Sequence, residues 1–205
     1  MKKIEQDSFW AGDFGDNYLV RNNGVEMVSS NIALFSKVIS RTNNINSVIE
    51  FGSNIGLNLT AIQSIIPSAT ISAVEINEKA IHELKKRMPE AEVFEGSILD
   101  YKPQKKHDLS FTKGLLIHIA PDQIKKAYET IYKSSKKYIF LAEYYNPTPL
   151  EVSYRGYSNK LFKRDFAGDM MNQFKDLKLV DYGFIYHRDS NFPQDDVTWF
   201  LLEKK

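Results

Sequence analysis

The segment Val48–Asn58, VIEFGSNIGLN, places an apolar run that ends in an acid, Glu50, before a loop with two glycines and a helix-like continuation. This order is typical of the first strand, turn and helix of a nucleotide-binding α/β unit. A second apolar run, Ile71–Val74, ends in Glu75, which lies 19 positions beyond Gly56. A carboxylate about 20 residues after the glycines binds ribose hydroxyls in such units. We therefore expect a ligand that carries an adenosine.

The spacing of the two glycines bears on which ligand the loop holds. Gly52 and Gly56 give a GxxxG pattern rather than GxGxxG, and Asn54 stands where a third glycine often lies. Asn tolerates left-handed backbone, so the turn is preserved. The spacing argues against a pyrophosphate, and the alternative is an ordinary strand–helix turn. Glu50 can hold the loop backbone or face a cationic group of the ligand.

Composition excludes several other classes of protein. The chain has 205 residues, of which 42% are hydrophobic, so one domain with a sizeable core is expected. A net charge of +1 disfavours a nucleic-acid partner, and the lack of cysteine excludes disulfides, zinc–thiolate sites and cysteine nucleophiles. We find neither the apolar core of a signal peptide nor an apolar run near the ~20 residues of a membrane helix. We expect a soluble, cytoplasmic protein without membrane insertion and without a metal.

Apolar runs alternate with helix-like segments along the chain. This alternation predicts a Rossmann-like, doubly wound α/β fold, with a seven-stranded sheet that is mostly parallel and ends in an antiparallel hairpin. The predicted strands are Ser47–Phe51, Ile71–Glu75, Glu92–Glu95, Asp108–Thr112, Tyr138–Glu143, Leu177–Tyr186 and Val197–Glu203. The predicted helices are Gly24–Arg41, Leu57–Ile66, Glu78–Met88, one that starts at Pro121, and Arg164–Phe174.

Ligands of such sheets bind beyond the carboxyl ends of the strands, so the residues just after each strand are candidates. Ser97 and Ile98 follow the third strand and its Gly96, and are placed to contact an adenine ring. Lys113 and His118 follow the fourth strand. With an ordinary pKa near 6.5, His118 can serve as a general base, and the alternative is a histidine that caps or packs beside the next helix.

The later strand ends supply candidates for substrate binding. Glu143 can bind a substrate hydroxyl or amine, and Tyr144, Tyr145 and Asn146 follow it as possible pocket walls. His187 and Arg188 follow the sixth strand, and arginine suits a carboxylate or phosphate. The alternative for the last pair is a solvated turn.

The segment Phe9–Asn22, FWAGDFGDNYLVRN, combines four aromatic residues with two glycines, two acids and Arg21. We interpret it as a lid that closes over a ligand and excludes water. The alternative is an arm that packs on the core through Phe9, Trp10 and Phe14.

From about Ile45 to the C-terminus, the chain resembles the class I S-adenosylmethionine-dependent methyltransferases. The resemblance rests on the loop from Glu50 to Gly56, on Glu75, on the segment Gly96–Ile98 and on the segment that ends in His118. Asn54 and Ser97 depart from the commonest form of this class, which usually has an Asp at the position of Ser97. More narrowly, FWAGDFGDNYLVRN, FTKGLLIHIAPD and LAEYYNP are similar to the pseudaminic acid biosynthesis-associated methylases. That group implies a sugar or sugar-like acceptor in bacterial surface-glycan biosynthesis.

The resemblance implies a role for each candidate. The loop would hold the methionine part of S-adenosylmethionine, Glu75 the ribose, and Ile76 and Ile98 the adenine, while His118 or Glu143 removes a proton from a hydroxyl acceptor. Residues 1–44 would form a lid and helix, and residues 45–205 the methyltransferase domain. The predicted cofactor contacts are Trp10, Tyr18, Arg21, Glu50, Gly52, Ser53, Asn54, Gly56, Glu75, Ile76, Gly96, Ser97, Ile98 and Lys113.

Two other functions remain open on the sequence. A nicotinamide-dependent oxidoreductase shares the acid at Glu75 but requires GxGxxG and usually a longer chain for its substrate domain. A non-catalytic module that kept the cofactor pocket would have the same strand ends, since fold alone does not decide function.

Overall fold

The computed structural model describes residues 5–16 and 25–205. Its helices are α1 (Glu5–Ala11), α2 (Val25–Ile39), α3 (Leu57–Ile65), α4 (Glu78–Arg87), α5 (Ile124–Ser134) and α6 (Phe166–Gln173), with a 3₁₀ turn at Leu116–His118. Its strands are β1 (Ser47–Phe51), β2 (Thr70–Glu75), β3 (Glu92–Glu95), β4 (His107–Lys113), β5 (Ser135–Glu143), β6 (Leu150–Tyr154), β7 (Tyr157–Lys163), β8 (Leu177–Ile185) and β9 (Val197–Lys204).

Seven of these strands form one sheet in the order β3-β2-β1-β4-β5-β9-β8. The first five along the chain are parallel, whereas β9 lies antiparallel to both β5 and β8. The predicted fold class is therefore confirmed. Strand order reverses between β1 and β4, and at such a point the loops on either side diverge and leave a crevice at the carboxyl ends.

Hydrophobic clusters cover both faces of this sheet. On one face, Phe35 of α2 packs edge-on against Phe111 of β4, with ring centroids 5.3 Å apart. On the other face, Tyr128 of α5 packs in a cluster with Ile49 and Leu141, and all three are buried. Strands covered on both faces are apolar almost throughout. This is why the central strands could be recognised as continuous apolar runs.

Two elements were not indicated by the sequence pattern. The helix α1 lies at the start of the predicted lid, and β6 and β7 pair as a separate antiparallel hairpin. The hairpin turns at Arg155 and Gly156, with φ of 51° and 86°. Positive φ at both central residues is the type I′ geometry, for which Asn-Gly is the usual signal and Arg-Gly is not.

Most predicted boundaries agree with the structure to within three residues. The strand β5 begins at Ser135 because α5 passes into it directly, and α5 itself begins at Ile124, beyond Pro121. The helix α6 begins at Phe166 because the Asp165 side chain accepts a hydrogen bond from the backbone N–H of Gly168 at 2.8 Å, as an N-cap does. Across the described ranges, the helices are too short or too polar to cross a membrane.

Candidate active site

A cleft lies at the carboxyl ends of β1 to β4, beside the reversal of strand order. Its wall is formed by the loops after these strands, by α1 and by the first turns of α3 and α4. The structure therefore brings most of the predicted cofactor residues together. The predicted residues that line the cleft are Trp10, Gly52, Ser53, Asn54, Glu75, Ile76, Gly96, Ser97, Ile98, Lys113 and His118.

The loop after β1 depends on three residues with left-handed backbone. Gly52, Asn54 and Gly56 have φ of 72°, 49° and 80°, so Asn54 adopts the conformation that its residue type tolerates. A Cβ on Gly52 would lie 2.9 Å from Cδ1 of Leu115, across the cleft floor. Gly56 instead packs near Leu84 of α4 and lies outside the cleft wall. Gly56 is therefore part of the turn, and its position does not support the predicted contact with the cofactor.

Glu75 joins this loop to the end of β2. Its Oε2 accepts a hydrogen bond from the N–H of Asn54 at 2.7 Å, and its Oε1 accepts from the N–H groups of Ile76 and Asn77, both at 2.8 Å. Burial raises the pKa of Glu75, and these three N–H groups oppose that rise. A carboxylate offers about four acceptor sites, so three bonds leave capacity for a ribose hydroxyl.

Glu50 lies beneath the cleft and not in its wall. Its side chain is fully buried, and Oε1 accepts a hydrogen bond from Nδ2 of Asn58 at 2.6 Å. Among the described residues, Glu50 Oε2 and Asn58 Oδ1 have no partner, and neither do the buried Asn54 Oδ1 and Ser53 Oγ. Burial raises the pKa of Glu50 well above its ordinary value.

These unsatisfied atoms bear on whether a cofactor fits. A buried polar atom without a partner costs about 1–3 kcal/mol. Ser53, Asn54 and Asn58 all line the cleft, so a ligand with N–H or O–H donors could satisfy them. An amino acid part with an ammonium group, next to an adenosine, matches this donor requirement.

Lys113 ends β4 and lines the same cleft. Desolvation lowers the pKa of its ammonium, and attraction from Glu50, Asp195 and Glu143 opposes that shift. Lys113 lies on the side of the cleft at the end of β4, where its ammonium could balance a ligand carboxylate.

The N-terminal segment crosses the cleft and is held at two strand ends. Asn77 Nδ2 donates hydrogen bonds to the carbonyl oxygen of Trp10 at 3.2 Å and to Oδ1 of Asp16 at 3.0 Å. Asp16 also pairs with Lys79 of α4. At the end of β3, Ser97 Oγ donates to Oδ1 of Asp7 at 3.1 Å. These contacts close α1 over the cleft.

Aromatic contacts join this segment to the β6–β7 hairpin. The rings of Trp10 and His118 have centroids 4.5 Å apart, and His118 and Tyr154 are 5.2 Å apart. Phe14 lies 5.8 Å from Tyr154, and Phe9 lies 5.2 Å from Tyr157. The hairpin therefore supports both α1 and His118.

His118 lies in the cleft wall and is mostly buried, with 8% of its surface exposed. Its Nδ1 is 2.7 Å from the carbonyl oxygen of Lys160. A carbonyl only accepts, so Nδ1 carries the hydrogen and Nε2 of the neutral ring can accept a proton. Burial lowers the pKa of His118 to about 4, and the bond to Lys160 opposes that shift. The ring is thus neutral at pH 7.

Glu143 is placed differently from what we predicted. Its Oε1 accepts from the N–H groups of Leu115 and Leu116 at 3.2 and 3.1 Å, and Oε2 accepts from Ile117 at 3.3 Å. Its side chain is buried and lies outside the cleft wall. Burial raises the pKa of Glu143 to about 7. This placement does not support a role as base and indicates that Glu143 fixes the loop that carries His118.

The predicted substrate residues lie away from the described cleft wall. The hydroxyl of Tyr144 donates to Asp195 at 3.3 Å, and His187 pairs with Asp196 at 2.9 Å. His187 follows β8, which lies at the edge of the sheet and far from the reversal of strand order. The structure therefore does not join Tyr144, Tyr145, Asn146, His187 and Arg188 to the cleft. Tyr18 and Arg21 lie outside the described residues.

Several residues of the cleft were missed. Asn77 is the N-cap of α4, since its Oδ1 accepts from the N–H of Ala80 at 2.9 Å, and an Asn two positions after a strand was an available signal. Asn58 follows the glycine loop by two positions and could have been included with it. Asp7 gave no signal, because its partner Ser97 lies 90 positions away.

Neither a protein-family model nor a curated protein sequence matches this chain. Solved structures do share its fold. Magnesium protoporphyrin IX methyltransferase from Synechocystis, with bound S-adenosylmethionine, is 11% identical with a TM-score of 0.67 and full coverage of both chains. A didemethyltoxoflavin N1-methyltransferase from Burkholderia thailandensis, with bound S-adenosylhomocysteine, is 11% identical with a TM-score of 0.71 over 97% of this chain and 87% of that chain.

An amino pentose methyltransferase from Micromonospora echinaspora, solved with bound S-adenosylmethionine, is 9% identical. Its TM-score is 0.65 over 94% of this chain and 96% of that chain. The strand order and the cleft define a doubly wound α/β protein with a candidate nucleotide site. Its fold is that of the class I S-adenosylmethionine-dependent methyltransferases.

Proposed function

We propose that this protein is an S-adenosylmethionine-dependent methyltransferase that acts on a small molecule. The observation that carries the proposal is the pairing of two features in one cleft. Glu75 is held by three backbone N–H groups where an adenosine ribose would lie. Buried acceptors of Ser53, Asn54 and Asn58 lack partners on the side where an amino acid part would lie.

The residues present fit this cofactor. Glu75 would accept from the ribose, Ile76 and Ile98 would enclose the adenine, and the loop from Gly52 to Asn54 would hold the amino acid part with Asn58. Glu50 would act through Asn58, because its carboxylate orients that amide and does not reach the cleft wall. When bound, S-adenosylmethionine supplies a methyl group on a sulfonium, which makes the methyl carbon electrophilic.

The chain contributes alignment, exclusion of water and one proton acceptor. Trp10 and the rest of α1 cover the cleft, and a dry, ordered site favours direct displacement. His118 is neutral and its Nε2 carries no hydrogen, so it could take the proton of an acceptor hydroxyl. For an amine acceptor, the neutral amine already carries its lone pair, and His118 would then orient it.

The acceptor that we propose is a hydroxyl or amine of a sugar or sugar-like molecule in bacterial surface-glycan biosynthesis. Its support is the resemblance of three sequence segments to the pseudaminic acid biosynthesis-associated methylases. One neighbour in fold is an amino pentose methyltransferase, whereas others act on a porphyrin or a toxoflavin precursor. A chain without cysteine fits a cytoplasmic location for this reaction.

Calorimetry with S-adenosylhomocysteine and with NAD tests the cofactor. We expect binding of the first in the micromolar range and none of the second, and the reverse result would favour an oxidoreductase. Isotope-labelled S-adenosylmethionine with a panel of amino and hydroxy sugars then tests transfer. Mass spectrometry of surface glycans from cells with and without the protein should show one missing methyl group. Tight binding without transfer to any acceptor would indicate a non-catalytic module.

A further inference from the structure

Asp7 reaches the part of the cleft that is formed by the end of β3. Its Oδ1 accepts the hydroxyl hydrogen of Ser97 at 3.1 Å, and the same hydroxyl oxygen accepts from the N–H of Leu99 at 3.2 Å. Ser97 is buried, with 6% of its surface exposed, and both Asp7 and Ser97 line the cleft. Two partners therefore fix the Ser97 hydroxyl, and its single hydrogen points to Asp7.

This arrangement places the carboxylate of Asp7 beside the position where an adenine ring would lie. Ile76 and Ile98 line the same part of the cleft, next to Glu75. The exocyclic amino group of adenine is a donor and requires an acceptor. Asp7 is an acceptor-only group with about four acceptor sites, and its Oδ1 accepts from Ser97. Bonds to an ionised acceptor are about twice as strong as neutral ones.

We propose that Asp7 is the residue that recognises the amino group of adenine. The proposal rests on the proposed function, since it assumes an adenosine cofactor in this cleft. Asp7 belongs to α1 and not to the sheet, so the adenine contact comes from the segment that closes the cleft. A cofactor that bonds to Asp7 makes this bond only in the closed form, so it binds that form more tightly and stabilises the docking of α1.

The test compares S-adenosylhomocysteine with its deaminated counterpart, S-inosylhomocysteine, by calorimetry. Deamination replaces the amino donor by a carbonyl acceptor, which faces the Asp7 carboxylate unfavourably. We expect the protein to prefer the adenine form by about 100-fold, which is the size expected for one hydrogen bond to a charged group. In Asp7→Asn, the amide can donate to the carbonyl, so the preference should fall below about tenfold.

The matched control is Asp13→Asn, which removes the same charge from an exposed position on the same segment. It should leave the preference unchanged. A second variant combines Asp7→Asn with Ser97→Asp, because a carboxylate at position 97 extends toward the place now held by Asp7 Oδ1. We expect the adenine preference to return in this double variant.

A preference for adenine that is unchanged in Asp7→Asn would overturn the assignment. A preference lost equally in Asp13→Asn would do the same, because it would indicate a general effect of charge. Failure of the unsubstituted protein to bind S-adenosylhomocysteine would instead refute the proposed function. Limited proteolysis separates docking from recognition: S-adenosylhomocysteine should protect the N-terminal segment of the unsubstituted protein, and S-inosylhomocysteine should not.

Discussion

The Nδ1 atom of His118 lies 2.7 Å from the carbonyl oxygen of Lys160, so a strand of the β6–β7 hairpin sets the tautomer of a cleft residue. The same ring lies against Trp10 of α1. His118 is therefore held between two elements outside the main sheet, and its protonation depends on both.

The pH dependence of folding should report the burial of His118. Burial lowers its pKa from 6.5 to about 4, so the unfolded chain binds this proton more tightly. The contribution of His118 to stability is thus fully present above pH 6.5 and is lost as the pH falls through about 4. Between pH 6.5 and pH 4, we expect the free energy of unfolding to fall by about 2–3 kcal/mol less in His118→Gln than in the unsubstituted protein. Urea denaturation at a series of pH values measures this difference.

Glu143 changes stability with pH in the opposite direction to His118. The unsubstituted protein and His118→Gln must therefore be compared with each other at each pH. Burial raises its pKa from 4.5 to about 7, so its contribution is present below pH 4.5 and declines as the pH rises through 7. Both proteins in the comparison retain Glu143, and the difference between their curves isolates His118. Parallel curves would show that His118 is accessible to solvent.

Turnover should depend on Nε2 of His118 if the acceptor is a hydroxyl. We expect His118→Gln to lower kcat about 100-fold with little change in the affinity for S-adenosylhomocysteine, because the glutamine amide does not take a proton. The rate of the unsubstituted protein should stay level through pH 6.5 and decline toward pH 4. A loss below tenfold on a hydroxyl acceptor would remove His118 as the base.

Glu75→Gln should weaken both the cofactor site and the fold. The three N–H groups that meet the carboxylate would face an amide, which has one oxygen and one NH₂. We expect a loss of about 1–3 kcal/mol in the free energy of unfolding and at least a tenfold weaker binding of S-adenosylhomocysteine. Glu90→Gln, at an exposed position beyond the end of α4, is the control and should change neither quantity. Equal effects in both variants would contradict this role for Glu75.

Gly52→Ala tests the contact between the loop and Leu115. Gly52 and Gly114 have nearly equal φ, 72° and 71°, but only a Cβ on Gly52 would approach a neighbour, Leu115 Cδ1, at 2.9 Å. Both substitutions cost about 1 kcal/mol through positive φ. We expect Gly52→Ala to cost about 1–3 kcal/mol more than Gly114→Ala in thermal or urea unfolding. Equal losses would show that Leu115 moves aside without cost.

Asn77 has two roles that two substitutions can separate. Its Oδ1 caps α4, and its Nδ2 holds the carbonyl of Trp10 and the carboxylate of Asp16. Asn77→Ser keeps a capping group and loses the amide donor, whereas Asn77→Ala loses both. We expect about 1 kcal/mol of destabilisation in Asn77→Ala relative to Asn77→Ser. Both variants should expose the N-terminal segment to protease, and protection that persists in both would contradict the second role.

The main sheet could be predicted because each central strand is recognisable from a short stretch of consecutive residues. β1 and β5 are buried on both faces, so their apolar character is visible in a single window of sequence. Glu75 could be predicted for the same reason, since it directly follows such a strand and lies at the edge where ligands bind.

The partners of the predicted residues could not be read from the same windows. A carboxyl group at the end of β5 can point into the cleft or beneath it, and only the fold brings Glu143 to the N–H groups of residues 115–117. The β6–β7 hairpin was missed because its Arg155-Gly156 turn lacks the usual residues. Without the hairpin, neither the bond of His118 to Lys160 nor the support of α1 could be foreseen.

The N-terminal segment that covers the cleft also bears on the order in which parts of the protein fold. α1 meets its partners across long stretches of chain: Asp7 and Ser97 are 90 positions apart, and Gln6 bonds to Asn159 across 153 positions. Contacts at such separation form only after the intervening chain is structured, because closing a long loop costs entropy without earlier compensation. We therefore expect the sheet to assemble first with an accessible crevice, and the N-terminal helix to dock as the last step of folding.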